Sequence, residues 1–329
     1  MRSDTVASHS RTGRVLVTGA NGFVGRALVA HLAARGIEEV LALTRQSPIN
    51  PVLGVRYLTV GDLAAPIQWQ FLLAGVDTLV HTAARVHVLN DRTSESLVEF
   101  QRVNTEGALG LARQAAALGV RRLVFLSSIG VNGVRTVTGR AFSETDRPNP
   151  HNAYAISKLE AEQGLRHLSE QTGLEVVIIR PPLVYGPGVK ANFAALMHAV
   201  QRLRFLPLGA VHNYRSLVAL DNLVDFILTC MVHPQAANQT FLVSDGQDVS
   251  ITELVRGLAD AAGVRMRLLP VPVGALRVGA TLLGRASDIE RLCGNLQVNI
   301  SKARKLLGWV PPITVTEGLR RAVVGGPSR

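Results

Sequence analysis

The sequence predicts an α/β protein: a doubly wound parallel sheet followed by a smaller C-terminal lobe. Three observations carry that prediction. Short, uninterrupted apolar runs alternate with longer amphipathic stretches up to Arg180, the pattern of strands covered by helices on both faces. A glycine-rich turn separates the first apolar run from the first amphipathic stretch. Beyond Arg180 the alternation loosens, and Pro and Gly become frequent.

The elements follow in order. Arg14 to Thr18 is a β-branched run, and Val24 to Arg35 has a helical period stopped by Gly36. Val40 to Leu43, Tyr57 to Val60 and Thr78 to His81 read as the second, third and fourth strands. Ser94 to Leu118 reads as one long helix ended by Gly119, and Arg122 to Leu126 as the fifth strand. Tyr154 to Thr172 is a helix ended by Gly173, and Val176 to Ile179 is the sixth strand. Residues 1–12 are expected as a loose tail and 13–180 as a dinucleotide-binding unit of the Rossmann type. Residues 181–215 and 246–329 form the expected substrate-binding lobe. Residues 216–245 are expected to return to the main sheet through the apolar runs Leu217 to Leu220 and Phe241 to Val243.

Composition removes several classes. Of the 329 residues, 47% are hydrophobic and 18% charged, which is enough apolar mass for a core and excludes wholesale disorder. Lys and Arg number 35 against 24 Asp and Glu, a net +11 that suits anionic partners: nucleic acid, anionic lipid or phosphorylated small molecules. The basic residues are scattered rather than blocked along the chain, so nucleic acid is not the expected partner. Cys230 and Cys293 alone cannot build a disulfide framework or a thiolate zinc site, and no metal site is expected. With no apolar segment in Met1 to Thr12, a cytoplasmic location is expected; with no run of about 18 apolar residues, membrane insertion is not.

The glycine turn is Thr18-Gly19-Ala20-Asn21-Gly22-Phe23-Val24-Gly25. Gly19 permits the tight turn, Gly22 lets backbone approach a pyrophosphate, and Gly25 lets the helix lie against the strand. The helix that this turn opens presents unpaired N–H groups and its positive dipole end to the phosphates, with Phe23 and Val24 beside them. The second strand ends at Leu43-Thr44-Arg45. An acidic residue there would hold a free ribose 2′-hydroxyl, whereas an Arg suits a 2′-phosphate. Arg45 therefore favours NADP(H) over NAD, with a solvated surface Arg as the alternative reading.

Tyr154 and Lys158, four apart on one helix, share a face. A phenol with a reference pKa of about 10 is a poor base at neutral pH, and a neighbouring ammonium is expected to lower it. That is what a proton shuttle at an alcohol or ketone needs. Ser128 ends the fifth strand, on the sheet edge where open α/β folds place ligands, and its hydroxyl can bridge the same substrate oxygen. Ser127 is the competing candidate.

In combination these motifs resemble the extended short-chain dehydrogenase/reductase family, in the branch of nucleotide-sugar epimerases, dehydratases and 4-keto reductases. The G-x-x-G-x-x-G spacing is followed in the family's order by Asp62-Leu63, His81-Thr-Ala83-Ala84, Val103-Asn104-Thr-Glu-Gly107 and Ser127-Ser128. Tyr154-Ala-Ile-Ser-Lys158 and Arg180-Pro181-Pro-Leu-Val-Tyr-Gly-Pro-Gly188 complete the set. The resemblance implies Tyr154 as acid/base, Lys158 as its pKa modulator and ribose ligand, and Ser128 as the residue that orients the oxygen. It implies cofactor contacts from Gly19, Asn21, Gly22, Phe23, Val24, Gly25, Asp62, Leu63, Ala83, Ala84, Asn104 and Pro181. Asn104 serves equally well as a helix-interior side chain that bonds a neighbouring loop. Asn132 stands where many relatives carry Tyr.

The family's dehydratases carry an Asp-Glu pair after the Ser or Thr; Ile129 and Gly130 stand here, and neither transfers a proton. Oxidation and reduction at a sugar carbon remain. Lys190 and Asn192, Arg215 and, by position, Arg291 are the implied ligands of a nucleotide diphosphate, with Arg85 facing the sugar. Residues 81–245 resemble bacterial reductases of a UDP-4-keto-6-deoxy-N-acetylhexosamine, which serve surface-polysaccharide assembly. Arg45 tips the expectation to such a reductase, with a UDP-glucose or UDP-N-acetylhexosamine 4-epimerase as the alternative. A non-catalytic cofactor sensor or RNA-binding member of the fold is a remote third. The resemblance also implies a homodimer built from the Ser94–Leu118 helix and the helix starting at Tyr154.

Overall fold

The computed structural model describes residues 13–62, 65, 67–86, 94–284 and 286–325. Leu63 lies outside the described residues, as does the stretch Met1 to Thr12.

The main sheet is parallel throughout, in the order β3-β2-β1-β4-β5-β6-β10. Its strands are β1 (Arg14–Thr18), β2 (Val40–Thr44), β3 (Val55–Thr59), β4 (Val76–His81), β5 (Arg122–Leu126), β6 (Glu175–Arg180) and the edge strand β10 (Thr240–Leu242). The chain runs outward from β1 through β2 to β3 and then crosses to β4 on the other side. The crossover opens a crevice at the carboxyl ends of β1 and β4, where such sheets take ligands. β1, β2 and β4 to β6 are almost wholly buried, which is why they read as unbroken apolar runs.

Crossover helices cover both faces: α1 (Phe23–Ala34), α2 (Trp69–Leu73), α3 (Ser94–Phe100), α4 (Gly107–Ala117) and α5 (Ala153–Thr172). The stretch expected as one helix is interrupted by a π-helical segment, Gln101–Glu106, between α3 and α4. Two apolar cores lie on either side of the sheet, one around Leu28, Val29 and Phe226, the other around Leu79, Leu111 and Phe125. α5 starts at Asn152, whose side chain accepts a hydrogen bond from Ala155 N at 2.8 Å, and ends at Gly173 with φ 74°.

The smaller lobe is built from short strands. β7 (Leu183–Tyr185), β9 (Arg215–Ala219) and β11 (Asp248–Val249) form one sheet, and β8 (Phe205–Leu206) pairs with β12 (Arg267–Leu268) in another. Of the two apolar runs expected to rejoin the main sheet, Phe241–Val243 supplies β10. Leu217–Leu220 instead lies in β9 and the start of α7 (Leu220–Val232), so its strand pairs with β7 and β11. The reason is local: α7 carries the chain back across α1, and only after it does the backbone reach the exposed edge of β6. The remaining helices are α6 (Ala191–Arg202), α8 (Ile251–Ala261), α9 (Val273–Leu282), α10 (Ala286–Cys293), α11 (Ser301–Leu307) and α12 (Val315–Val324). One carboxylate joins the halves. Asp245, buried after β10, accepts hydrogen bonds from Tyr185 Oη, Ala219 N and Asn222 Nδ2, each at 2.7 Å.

Candidate active site

The groove begins where β1 ends. Gly19 turns with φ 71°, a conformation that side chains rarely adopt, and a Cβ there would lie 2.7 Å from Ala83 Cα. A Cβ on Gly25 would run into the Gly19 carbonyl and lie 2.8 Å from Thr82 Oγ1. These glycines let the loop, the helix and the turn after β4 close on one another. Gly22 is the N-cap of α1, and no side chain caps that helix end. Unpaired N–H groups and the positive dipole end therefore face the crevice, and the residues present fit a pyrophosphate. Phe23 and Val24 pack partly on the core. Asn21 Nδ2 donates to Gln46 O at 2.8 Å, tying the loop to the end of β2, where Arg45 is exposed. Asp62 is engaged by Arg102 Nη1 at 2.8 Å.

The turn after β4 is clamped by Asn104. Its Oδ1 accepts from Arg85 N at 2.8 Å, and its Nδ2 donates to Arg85 O and to Ser157 Oγ, both at 3.1 Å. Asn104 thus sets the Ala83–Arg85 turn against α5. Its amide is committed to protein groups, so any influence on a cofactor runs through that turn. The π segment that carries it is a common accompaniment of functional sites.

Tyr154 stands in the first turn of α5, edge-on to Phe100 with ring centroids 6.2 Å apart, and the Arg85 guanidinium lies 5.7 Å from the centre of the same Phe100 ring. Lys158 is buried. Its Nζ donates to Leu126 O at 2.9 Å and lies 4.4 Å from the Phe125 ring centre. Phe125 stacks on His81 at 5.7 Å, and His81 Nδ1 is 2.8 Å from Thr18 Oγ1, beside the glycine loop. The Tyr-Lys face of α5 is thereby linked, contact by contact, to the floor of the dinucleotide groove. Of the two serines, Ser127 is committed: its Oγ donates to Glu162 Oε1 at 2.5 Å. Ser128, part-exposed, accepts from Gly130 N at 3.1 Å and lies in the loop packed against the start of α5. Pro181 is buried and uses its carbonyl to hold Ile129 N at 2.9 Å, which fixes that loop.

The charges differ from the sequence expectation. Burial pushes the Tyr154 phenol up to about 12, instead of an ammonium drawing it down. The reason is where Lys158 points, toward Leu126 O and Phe125. Burial lowers Lys158 to about 7, against the opposing pull of the Glu162 carboxylate. His81 is lowered to about 3, by burial first and by Lys158 second, so its imidazole is neutral at working pH.

Residues 15–244 match the NAD dependent epimerase/dehydratase family. The chain belongs to that family. It is 45% identical over 308 residues to UDP-glucose 4-epimerase of Vibrio cholerae, covering 93% of each chain. It is 27% identical to GDP-6-deoxy-D-mannose reductase of Pseudomonas aeruginosa, over 97% of this chain and 98% of the relative. Among solved structures, MoeE5 in complex with UDP-glucose and NAD superposes with a TM-score of 0.75 at 25% identity, covering 95% of this chain and 98% of that one.

Family membership turns attention to the substrate side. Lys190 and Asn192 are exposed at the start of α6, flanking Ala191, whose φ of 55° is unusual for a residue with a side chain. Arg215 opens β9, and its Nη1 donates to Arg291 O at 2.7 Å and Gly294 O at 3.0 Å. Arg215 and the end of α10 are thus brought together, with the Arg291 side chain exposed.

Sequence reasoning missed the polar floor of the site. Glu162 is fully buried and accepts from Arg180 Nε at 2.8 Å and Nη2 at 2.5 Å, from Arg166 Nη2 at 2.8 Å and from Ser127. Arg180 Nη1 then donates to Asn132 Oδ1 at 2.9 Å, and Asn132 Nδ2 to Ser143 O at 2.8 Å. A signal existed: Glu162 follows Lys158 by four and Tyr154 by eight, so the three share one helical face. Asn132 is a buried link in this chain of hydrogen bonds.

Proposed function

We propose that the chain is a 4-epimerase of a UDP-linked hexose or N-acetylhexosamine. The observation that carries the reading is its end-to-end likeness to a UDP-glucose 4-epimerase, and Ser128, Tyr154 and Lys158 are the candidate catalytic set. That likeness outweighs Arg45, which had favoured a 4-keto reductase. When bound, the nicotinamide supplies a reversible hydride acceptor. Ser128 holds the sugar O4, and Tyr154 takes the O4 proton as the C4 hydrogen leaves and returns it afterwards. The ionised phenol needs a cation, and Lys158, one turn along the helix but turned to the Leu126 carbonyl in this structure, is the candidate to supply it once the cofactor is bound.

Inversion at C4 requires that hydrogen return to the opposite face, so the sugar must turn over while its diphosphate stays anchored. Arg215, Lys190, Asn192 and Arg291 are the candidate anchors, and Arg85 the candidate sugar contact. The epimerase reading favours NAD retained through both half-reactions. Purified protein should carry NAD and interconvert UDP-glucose with UDP-galactose, or the corresponding N-acetylhexosamines, with no added cofactor. Stoichiometric NADPH consumption on a UDP-4-keto sugar would install the reductase instead; Arg45, exposed at the end of β2, is the observation that favours it. A homodimer through α3, α4 and α5 completes the proposal and predicts twice the chain mass by light scattering.

A further inference from the structure

The basic charge, scattered along the sequence, gathers on one lobe in the fold. Residues 181–220 contain four Lys or Arg and no Asp or Glu, and residues 261–284 contain three and none. Those seven positive charges compare with a chain-wide net of +11. The two segments meet in the parallel pair β8 and β12, where Arg267 N donates to Arg204 O at 3.0 Å and Leu269 N to Leu206 O at 2.9 Å. Arg202 at the end of α6 and Leu203, Arg204 and Phe205 leading into β8 are all exposed, as are Arg265, Arg267 and Leu269 along the segment that holds β12. Leu206 and Leu268 point inward to the lobe's core, so alternation sends Phe205, Arg267 and Leu269 outward.

From this sheet the chain runs through Pro270-Val-Pro272 into α9, whose stretch from Leu268 to Gly284 carries one charge, Arg277. α9 is not sunk in the core. Val278 is 63% exposed, Leu282 83% and the following Leu283 77%. Isolated exposed aliphatics are ordinary, but bulky apolar side chains interleaved with Arg are not; the carboxylates nearest in the chain are Asp260 at the end of α8 and Asp288 and Glu290 on α10.

We propose that this face, β8–β12 with α9, docks on an anionic membrane surface. Apolar side chains at this exposure suit the headgroup boundary of a bilayer, and the long Arg stems can keep their guanidinium groups at the lipid phosphates. A second copy of the chain is a poorer occupant, because a two-fold contact would set the same Arg cluster against itself. Nucleic acid is poorer too, because the outward residues between the Arg are mostly aliphatic and offer little to bases. Docking is peripheral: no described helix is long and apolar enough to cross a membrane. The proposal is independent of which sugar the enzyme turns over.

The test is flotation of the full chain with vesicles of phosphatidylcholine alone, and of phosphatidylcholine with an equal share of phosphatidylglycerol. Binding is expected only to the anionic vesicles and should weaken with salt. Arg265→Ala with Arg267→Ala should weaken it by about fivefold per Arg removed. Leu282→Ser with Leu283→Ser should weaken it at low and high salt alike. All four residues lie at the surface or the end of a helix, and unchanged circular dichroism and epimerase turnover would verify folding. The proposal is overturned if wild-type protein ignores anionic vesicles or binds neutral ones equally. It is overturned as well if the variants bind like wild type, if they instead change the oligomeric mass, or if RNA is bound where vesicles are not.

Discussion

The polar groups beneath the catalytic face and those on the substrate lobe are of the same chemical kinds, yet their situations are opposite. Beneath the site, Glu162, Arg180, Lys158 and His81 are all but sealed from water, and the two ions of the salt bridge satisfy each other with several short bonds. On the lobe, Lys190, Asn192 and the Arg291 side chain are open to solvent. An ion taken out of water must be matched by partners in fixed places, whereas an exposed one loses little when its partner changes. The floor is therefore preorganised by its own chain, while the rim leaves its polar groups open to solvent.

The sharpest way to break that contrast is Glu162→Ala. It strands Arg180 in the interior and should cost about 3–5 kcal/mol in chemical denaturation, as expected for half of a buried pair. A loss below about 1 kcal/mol would mean that the floor is no more structured than the rim.

A smaller effect comes from Lys158. Its amine is lowered to about 7 in the fold and has a model value of 10.5 when free. Below pH 7 both states hold the proton and the folded state bears the whole burial penalty. As pH climbs from 7 to 10.5, the folded chain sheds its proton before the unfolded chain does, so this group's contribution to stability rises. Wild type should gain stability relative to Lys158→Met across that window in paired melts. The same variant should lose turnover even while it gains stability at pH 7. Parallel pH profiles for the two proteins would remove Lys158 from the buried class.

Gly25→Ala probes the wall of the groove. Its Cβ meets the Gly19 carbonyl and Thr82 Oγ1, so overpacking of about 1–3 kcal/mol is expected, together with loss of co-purifying dinucleotide. The mildest change is Lys190→Ala. Stability should move by less than about 0.5 kcal/mol while the KM for a UDP-sugar rises and kcat holds. A matching fall in kcat would bring Lys190 into the transition state and narrow the contrast.

Much of this was legible in the sequence, and the reason is periodicity. β1 to β6 announce themselves because both faces are covered, and the Gly19, Gly22 and Gly25 spacing has only a few structural meanings. Tyr154 and Lys158 follow from a spacing of four. What was not legible depends on distance in space. No local pattern says that Ser127 serves Glu162 while Ser128 stays available, or that Arg180 turns inward to Asn132. The direction of Lys158 was equally hidden: a spacing of four puts it beside Tyr154, but its ammonium goes to a strand-end carbonyl, and the phenol rises where a fall was expected. The small lobe was hardest, because strands of two or three residues carry no periodic signal, and the run at Leu217 joined β7 and β11 instead of the main sheet.

The Asp245 carboxylate has a mechanical consequence. Tyr185 belongs to the small lobe's first strand, Ala219 and Asn222 to the start of the helix that lies on α1, and one side chain fastens them all. Such a joint is a weld and not a hinge. Traffic into and out of the cleft then falls to its rim, and the Ala219 amide should be among the last in the molecule to exchange its hydrogen with heavy water.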